Sequence, residues 1–328
     1  MSPFHQVTKL RRALYKLRLL NAHSLPGKTI SVGNIASGGT GKTPVVIRIA
    51  QFLKDSGQRP VILTRGYRSH LEKNDCLVMV GDKTTLPPTR SGQVFADEAK
   101  MMAVSLLDVP VIVGANRWTA AQRYLTANSA PTHWILDDGF QHFRLTRDLD
   151  VVLLDAKHPF GQGWQWPPNI LREPPSALNR ADIVLVTRYA PSSPPKSLEG
   201  FLKRMNVPFL GVEFEQTALE QISGPPKKQA EMTHPGVVSA IANPKRLIAY
   251  IHAENLNPAA TFIKSDHSRF TFDEVHAFAK KCDSIITTPK DYWRDPSVFH
   301  GHGAPVFTTS THPVLDNGTL KDILRPVL

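Results

Sequence analysis

The sequence predicts an α/β protein: a P-loop NTPase-type parallel sheet sandwiched between helices, followed by a second, smaller α/β domain. Three observations predict it. Apolar runs alternate with helix-spaced stretches from residue 29 to residue 186, the pattern of a parallel sheet covered on both faces. Polar residues gather where those runs end, which is where ligands sit in such sheets. A glycine-rich loop lies between the first run and the first helix.

Residues 7–21 come first and read as a basic amphipathic helix. Val7, Leu10, Leu14 and Leu17 form its stripe, and Leu20 takes over the last turn, where the spacing falls on Asn21. Lys9, Arg11, Arg12, Lys16 and Arg18 surround it. The pattern suits a helix resting among anionic headgroups. It suits equally a helix packed on its own domain with its charges in water.

Thr29–Val32 reads as a strand, and Val45, Val46, Ile49, Ala50, Phe52 and Leu53 as a helix. Between them lies Ala36-Ser37-Gly38-Gly39-Thr40-Gly41-Lys42-Thr43. Strand, glycine loop and helix together make a phosphate-binding loop. Its glycines let backbone N–H groups turn toward an anion, and the helix N-terminus adds partial positive charge. Lys42 reaches the outer phosphates in this reading, and the Thr43 hydroxyl takes a Mg²⁺ position. Ala36 replaces the first glycine of the strict pattern, which requires a negative φ there.

Strands are expected at 60–64, 76–80, 109–113, 133–136, 151–154 and 183–186, with helices at 97–107 and 117–125. The strands end in Arg65-Gly66, Asp137-Asp138-Gly139, Asp155 and Thr187-Arg188. A carboxylate pair after a buried strand holds Mg²⁺ directly or through water; Asp-Gly also favours a plain turn. Residues 156–180 form a long connection rich in proline, glycine and tryptophan, of the kind that tends to be functional. Within it, Arg172 and Glu173 read as partners for a phosphate and a metal, or as a surface ion pair.

The remaining third repeats the alternation on a smaller scale. The expected division is 1–206 for the phosphate-loop domain, 207–223 for a two-stranded connector and 224–328 for the smaller domain. The net charge of +11 favours an anionic partner. Two distant cysteines, Cys76 and Cys282, offer neither a disulfide framework nor zinc spacing and point to a reducing compartment. No apolar run approaches the length of a membrane span, and Lys16 and Arg18 interrupt the one candidate for a cleavable signal.

Val32-Gly33-Asn34-Ile35 leading into Gly38-Gly39-Thr40-Gly41-Lys42-Thr43-Pro44 resembles the signature of the tetraacyldisaccharide 4′-kinase family of lipid A biosynthesis, as does Asp137-Asp138-Gly139-Phe140-Gln141-His142. Thr64-Arg65-Gly66-Tyr67, Asp97-Glu98, Asn116-Arg117, Leu171-Arg172-Glu173-Pro174, Asp266-His267, Thr287-Thr288 and Lys290-Asp291 follow the same family order. Arg68, Pro168-Asn169-Ile170 and Pro289 depart from its pattern.

The resemblance implies a peripheral enzyme on the cytoplasmic face of the inner membrane, using ATP and Mg²⁺ and lacking a transmembrane helix. Its substrate would be the lipid A disaccharide precursor, phosphorylated on the 4′-hydroxyl to give lipid IVA. The anionic membrane surface would be its other partner, with neither nucleic acid nor an obligate protein partner expected. Asp97 would be the base and His267 its partner, with Lys42 at the phosphates. Thr43, Asp137, Asp138 and Glu173 would serve the metal, and Arg117 and Arg172 the substrate. Read alone, Asp97 is a helix N-terminal residue favoured by the macrodipole, His267 a loop histidine or cap, and Arg117 a solvated charge.

Two other readings fit parts of the chain. One is a P-loop ATPase switch that positions cargo on DNA or membrane, whose signature lysine before the two glycines is here Ser37. The other is a non-catalytic nucleotide-binding module, against which Lys42, Thr43, Asp137 and Asp138 argue.

Overall fold

The apolar runs of the first two-thirds of the chain assemble into one nine-stranded sheet. The computed structural model describes residues 10, 14–15, 17, 19–36, 39–66, 76–85, 97–161, 171–241, 243–266 and 268–328. Its strands are β1 (Lys28–Asn34), β2 (Pro60–Thr64), β3 (Leu77–Val80), β4 (Lys83–Thr85), β5 (Val111–Val113), β6 (His133–Asp137), β7 (Leu149–Asp155), β8 (Ile183–Thr187) and β9 (Phe209–Val212), in the order β4-β3-β5-β2-β6-β1-β7-β8-β9. From β5 to β9 every neighbouring pair is parallel.

The run at 76–80, expected among the parallel strands, lies antiparallel to β5 instead. Gly81, at a φ of 57°, turns the chain straight back into β4, which pairs antiparallel with β3 in a hairpin.

Helices α1 (Lys42–Asp55), α2 (Asp97–Leu106), α3 (Arg117–Leu125) and α4 (Lys196–Arg204) cover the sheet. Alternate residues of each strand enter different cores, because side chains alternate across a pleated strand. Ile30, Val32, Ile62, Ile135, Val151 and Leu153 pack with residues of α1 and α2. Val61, Leu63, Trp134 and Leu136 pack with Ala120 and Ala121 of α3. Val152, Leu154, Val184 and Val186 pack with Leu198 and Leu202 of α4. Burial on both faces is why these strands read as unbroken apolar runs.

The chain divides into one unit of residues 1–214 and 313–328 and a second of residues 215–312. The expected boundaries differ in two ways. Residues 209–212 form the edge strand β9 of the large sheet rather than half of a connector. β10 (Phe214–Gln216) pairs instead with β16 (Thr311–Pro313), so the two-stranded element joins segments far apart in sequence. In addition, the C-terminal residues return to the first unit. Leu315, together with Leu320, Ile323 and Leu324 of α8 (Asn317–Leu324) and Val327, joins the core of α1 and α2. Arg48 Nε donates to the Leu315 carbonyl at 3.0 Å, and His133 Nε2 meets the Val327 carbonyl at 3.0 Å.

The second unit has a five-stranded sheet in the order β11-β15-β14-β12-β13, formed by β11 (Glu220–Ser223), β12 (Pro235–Ser239), β13 (Ala260–Ile263), β14 (Ser284–Thr287) and β15 (Val306–Thr308). Only β11 runs antiparallel to its neighbour. Its helices are α5 (Pro244–Ala253), α6 (Phe272–Ala279) and α7 (Pro289–Arg294). A capping box of Thr271 and Glu274 starts α6. Pro289 takes the first position of α7, where no N–H is needed, so its departure from the family pattern leaves the helix start intact.

Asp291 of α7 is 2% exposed. It accepts from Ser239 Oγ at 3.0 Å, the Ala240 N–H at 3.1 Å, Thr288 Oγ1 at 2.9 Å and Arg294 Nη1 at 3.0 Å. Arg294 Nη1 also donates to the Ser268 carbonyl at 2.8 Å. Arg294→Ala leaves this carboxylate buried without its countercharge. Urea denaturation is expected to show a loss of about 3 kcal/mol; a loss under about 1 kcal/mol would mean that the neutral donors suffice.

Candidate functional site

The sheet order places β6 directly beside β1, so the Asp137-Asp138-Gly139 turn meets the phosphate loop at the carboxyl ends of two adjacent parallel strands. Ser37 and Gly38 lie outside the described residues. Ala36 is free of positive φ and bridges Leu171 in antiparallel fashion, so an alanine is tolerated there. Gly41 sits at a φ of 85°, and a Cβ on it would come within 2.7 Å of the Phe214 ring. Asn34 Nδ2 donates to Thr40 Oγ1 at 3.1 Å, which ties the end of β1 to the middle of the loop.

Each residue of the turn motif has a distinct partner. Asp137 Oδ2 accepts from Thr64 Oγ1, at the end of β2, at 2.8 Å. Asp138 adopts a φ of 52°, the left-handed region that a short acidic side chain tolerates. Its carboxylate lies 3.7 Å from Lys42 Nζ, and both its oxygens accept from Arg172 Nη1, at 2.6 and 2.5 Å. At Gly139 a Cβ would lie 2.7 Å from that of Leu136 and 2.8 Å from Ser31 Oγ. Phe140 is fully buried against Gly33, where a Cβ would approach its own to 2.6 Å. Gln141 Nε2 donates to the Asn34 carbonyl and to Glu173 Oε1, at 2.8 and 2.9 Å. His142 Nδ1 is 3.1 Å from Arg117 Nη1.

The two adjacent carboxyls are driven apart in acidity. Burial raises Asp137 to about 6, helped by the negative charges of Glu98 and Asp138. Burial pushes Asp138 the same way, but Lys42 and Arg172 outweigh it and bring Asp138 to about 2. Folded Asp137 therefore holds a proton across pH 4–6 that the unfolded chain has released. Its contribution to stability is complete below pH 4, falls as pH rises and is gone above pH 6. Asp137→Asn keeps an acceptor for Thr64 but cannot ionise. Each tenfold change in proton affinity is worth about 1.4 kcal/mol, so the variant is expected to gain about 2–3 kcal/mol on wild type between pH 4 and pH 8 in chelator. Urea unfolding at the two pH values checks this, and a pH-independent difference would contradict it.

Other residues expected at the site take different places. Arg117, at the start of α3, is 4% exposed rather than solvated. Its Nη2 donates to the carbonyls of Asp137 and Asp138 at 2.8 and 3.4 Å, so it braces the turn from beneath. Burial lowers its pKa. Glu173, expected beside the metal, is 3% exposed and engaged elsewhere. Arg180 donates to both of its oxygens, at 2.5 and 2.8 Å, with Gln141 on the first. Arg172 is held by Asp138 and, through its backbone N–H, by the Ile35 carbonyl at 2.7 Å. Asp97 begins α2, and its Oδ1 accepts the Glu98 N–H at 3.0 Å. Thr43 lies half-buried in the first turn of α1. His267 lies outside the described residues.

Sequence reasoning missed Arg180, which bonds Glu173 and the Phe140 carbonyl and lies 3.6 Å from the centre of the Phe140 ring. A lone arginine after a proline-rich connection carries no local signal of that role. Glu98 was legible only as Asp97's neighbour. Among the described residues no group of three or more His, Cys, Asp or Glu gathers as a metal site. Mg²⁺ needs none, since one or two carboxylates, waters and substrate phosphates hold it. Thr43, Asp137 and Asp138 are the donors present for such an ion.

Comparison with known proteins shows the family. The family profile for Tetraacyldisaccharide-1-P 4′-kinase matches residues 2–328. The tetraacyldisaccharide 4′-kinase of Pelobacter propionicus is 33% identical over 87% of this chain and 78% of its own length. That of Geobacter metallireducens is 34% identical over 88% and 85%. The crystal structure of the "apo" form of LpxK from Aquifex aeolicus in complex with ATP aligns with a TM-score of 0.72 at 25% identity, over 99% of this chain and 96% of that one. With the profile spanning nearly every residue, and with the loop and the acidic turn joined at adjacent strand ends, this chain belongs to the tetraacyldisaccharide-1-P 4′-kinase family.

Proposed function

We infer that this protein transfers the γ-phosphate of ATP to the 4′-hydroxyl of tetraacyldisaccharide 1-phosphate, giving lipid IVA. The observation that carries this reading is the whole-length family match on a chain in which Lys42 and Asp138 approach each other across the strand ends. Phosphoryl transfer demands charge neutralisation and in-line positioning more than covalent chemistry. The loop N–H groups and Lys42 cradle the phosphates. Arg172, now held by Asp138, is a second cation within reach of the same anions. Thr43, Asp137 and Asp138 would hold Mg²⁺, which would supply charge neutralisation for the transferring phosphate.

Asp97 takes the proton of the attacking hydroxyl. Arg117 and Glu173 act through other residues: the first braces the acidic turn, and the second anchors Gln141 and Arg180.

The enzyme works peripherally on the anionic cytoplasmic face of the inner membrane, with the lipid as its partner there. Leu10, Leu17 and Leu19 are each more than half exposed in a basic segment, which supports a shallow interfacial contact. Among the described residues no helix is long and apolar enough to cross a membrane.

The test is transfer of labelled γ-phosphate from Mg·ATP to tetraacyldisaccharide 1-phosphate in mixed micelles. A labelled 4′-phosphorylated product is expected. ATP hydrolysis stimulated by DNA or bare membrane, with no labelled lipid, would sink the kinase reading.

A further inference from the structure

Two residues at strand ends have no part in the chemistry above: Asp155, closing β7, and Arg188, directly after β8. Arg188 has a φ of 55°. An arginine in the left-handed region is uncommon and persists where its surroundings over-determine it. Those surroundings are visible. Asp155 is 6% exposed, and its Oδ1 accepts the backbone N–H groups of Lys157 and His158 at 2.8 and 3.2 Å. Its Oδ2 accepts from Arg188 Nη1. The other end of the same guanidinium, Nη2, donates to the Gly39 carbonyl of the phosphate loop at 2.5 Å.

In a trans peptide the C=O and the following N–H point in opposite directions. A Gly39 carbonyl turned toward Arg188 therefore turns the Thr40 N–H away from it. The Thr40 side chain is tied to buried Asn34, so the Gly39–Thr40 peptide is held on both sides.

We propose that Arg188 is a positioning residue of the phosphate loop: anchored on Asp155, it fixes the Gly39–Thr40 peptide so that the Thr40 N–H is presented to a nucleotide phosphate. This rests on the reading that the loop binds ATP. It adds a strap on the β8 side of the loop, opposite the flank occupied by the Asp137-Asp138 turn on β6. No contact between Arg188 and the nucleotide itself is required. Asp155→Asn is therefore expected to weaken binding in the same direction as Arg188→Ala.

The experiment is calorimetric titration of the full chain with Mg·ATP, without lipid acceptor. Arg188→Ala is expected to raise Kd about 10-fold, as loss of one charge-assisted contact would. Arg188→Lys should recover part of that loss, and added ethylguanidinium should partly rescue Arg188→Ala. The double variant with Asp155→Asn should be no weaker than the worse single one, because both act through one strap. In amide NMR spectra, the Thr40 N–H should shift on nucleotide addition in wild type and shift less in Arg188→Ala.

A wild-type Kd in Arg188→Ala would overturn the proposal. So would a lowered Tm with nucleotide affinity intact, which is what a merely structural ion pair would give. If Arg188→Ala fails to fold, Arg188→Lys decides between the same two outcomes. Wild type that binds ATP but labels no lipid would remove the kinase reading and leave the strap standing; wild type that binds no ATP would remove both.

Discussion

Lys42→Ala will lower kcat for phosphoryl transfer by about 10³-fold, because charge stabilisation aimed at the transferred group is usually the largest single contribution. Lys42 Nζ is placed 3.7 Å from Asp138, and the loop bends through Gly41 immediately before it, so the ammonium is aimed by the backbone rather than by a flexible surface. The variant retains Arg172 on Asp138, so the acidic turn keeps one countercharge and the fold should persist. Lys42→Arg is not expected to restore full activity, because a planar fork does not replace a compact point charge. Single-turnover transfer of labelled phosphate measures the chemical step directly. A loss smaller than about 10-fold would place Lys42 away from the developing charge.

Asp97→Asn will lower kcat by about 10²–10⁴-fold while the Kd for Mg·ATP stays within about 3-fold of wild type. Asparagine isolates the charge, because its carbonyl still accepts the Glu98 N–H that Asp97 Oδ1 accepts now. If Asp97 serves only the helix dipole, the same substitution costs a few tenths to about 1 kcal/mol of stability and leaves transfer intact. Activity and urea stability measured together separate the two. Glu98→Gln is the companion variant. It removes a negative charge that raises the pKa of Asp137, so it should lower that pKa without abolishing transfer.

The site was legible in the sequence wherever one local element builds it. The phosphate loop needs only a strand, glycines and a helix start, all within residues 28–55. The acidic turn needs only a strand end followed by glycine. The role of Arg117 was not legible. An arginine at a helix start is usually solvated, and its burial depends on α3 packing beneath a turn twenty residues later. The partners of Glu173 were not legible for a similar reason. A carboxylate in a site-lining segment suggests a metal, and only the approach of Arg180 and Gln141 assigns its two oxygens. The C-terminal helix followed the second unit in sequence, yet its apolar face completes the core of the first.

By itself, then, the sequence determined the α/β class, the phosphate loop, the acidic turn and the family, because each is written in short-range spacing and residue type. Only the tertiary structure decided which charges meet. It put Lys42 and Arg172 on Asp138, Arg180 on Glu173, Arg188 between Asp155 and Gly39, and the C-terminal helix on the first core. Most of these partners stand many residues apart in the chain. Lys42 meets Asp138 because β1 lies beside β6, and Arg188 meets Asp155 because β8 lies beside β7; strand order is set by how whole faces bury one another rather than by any local pattern.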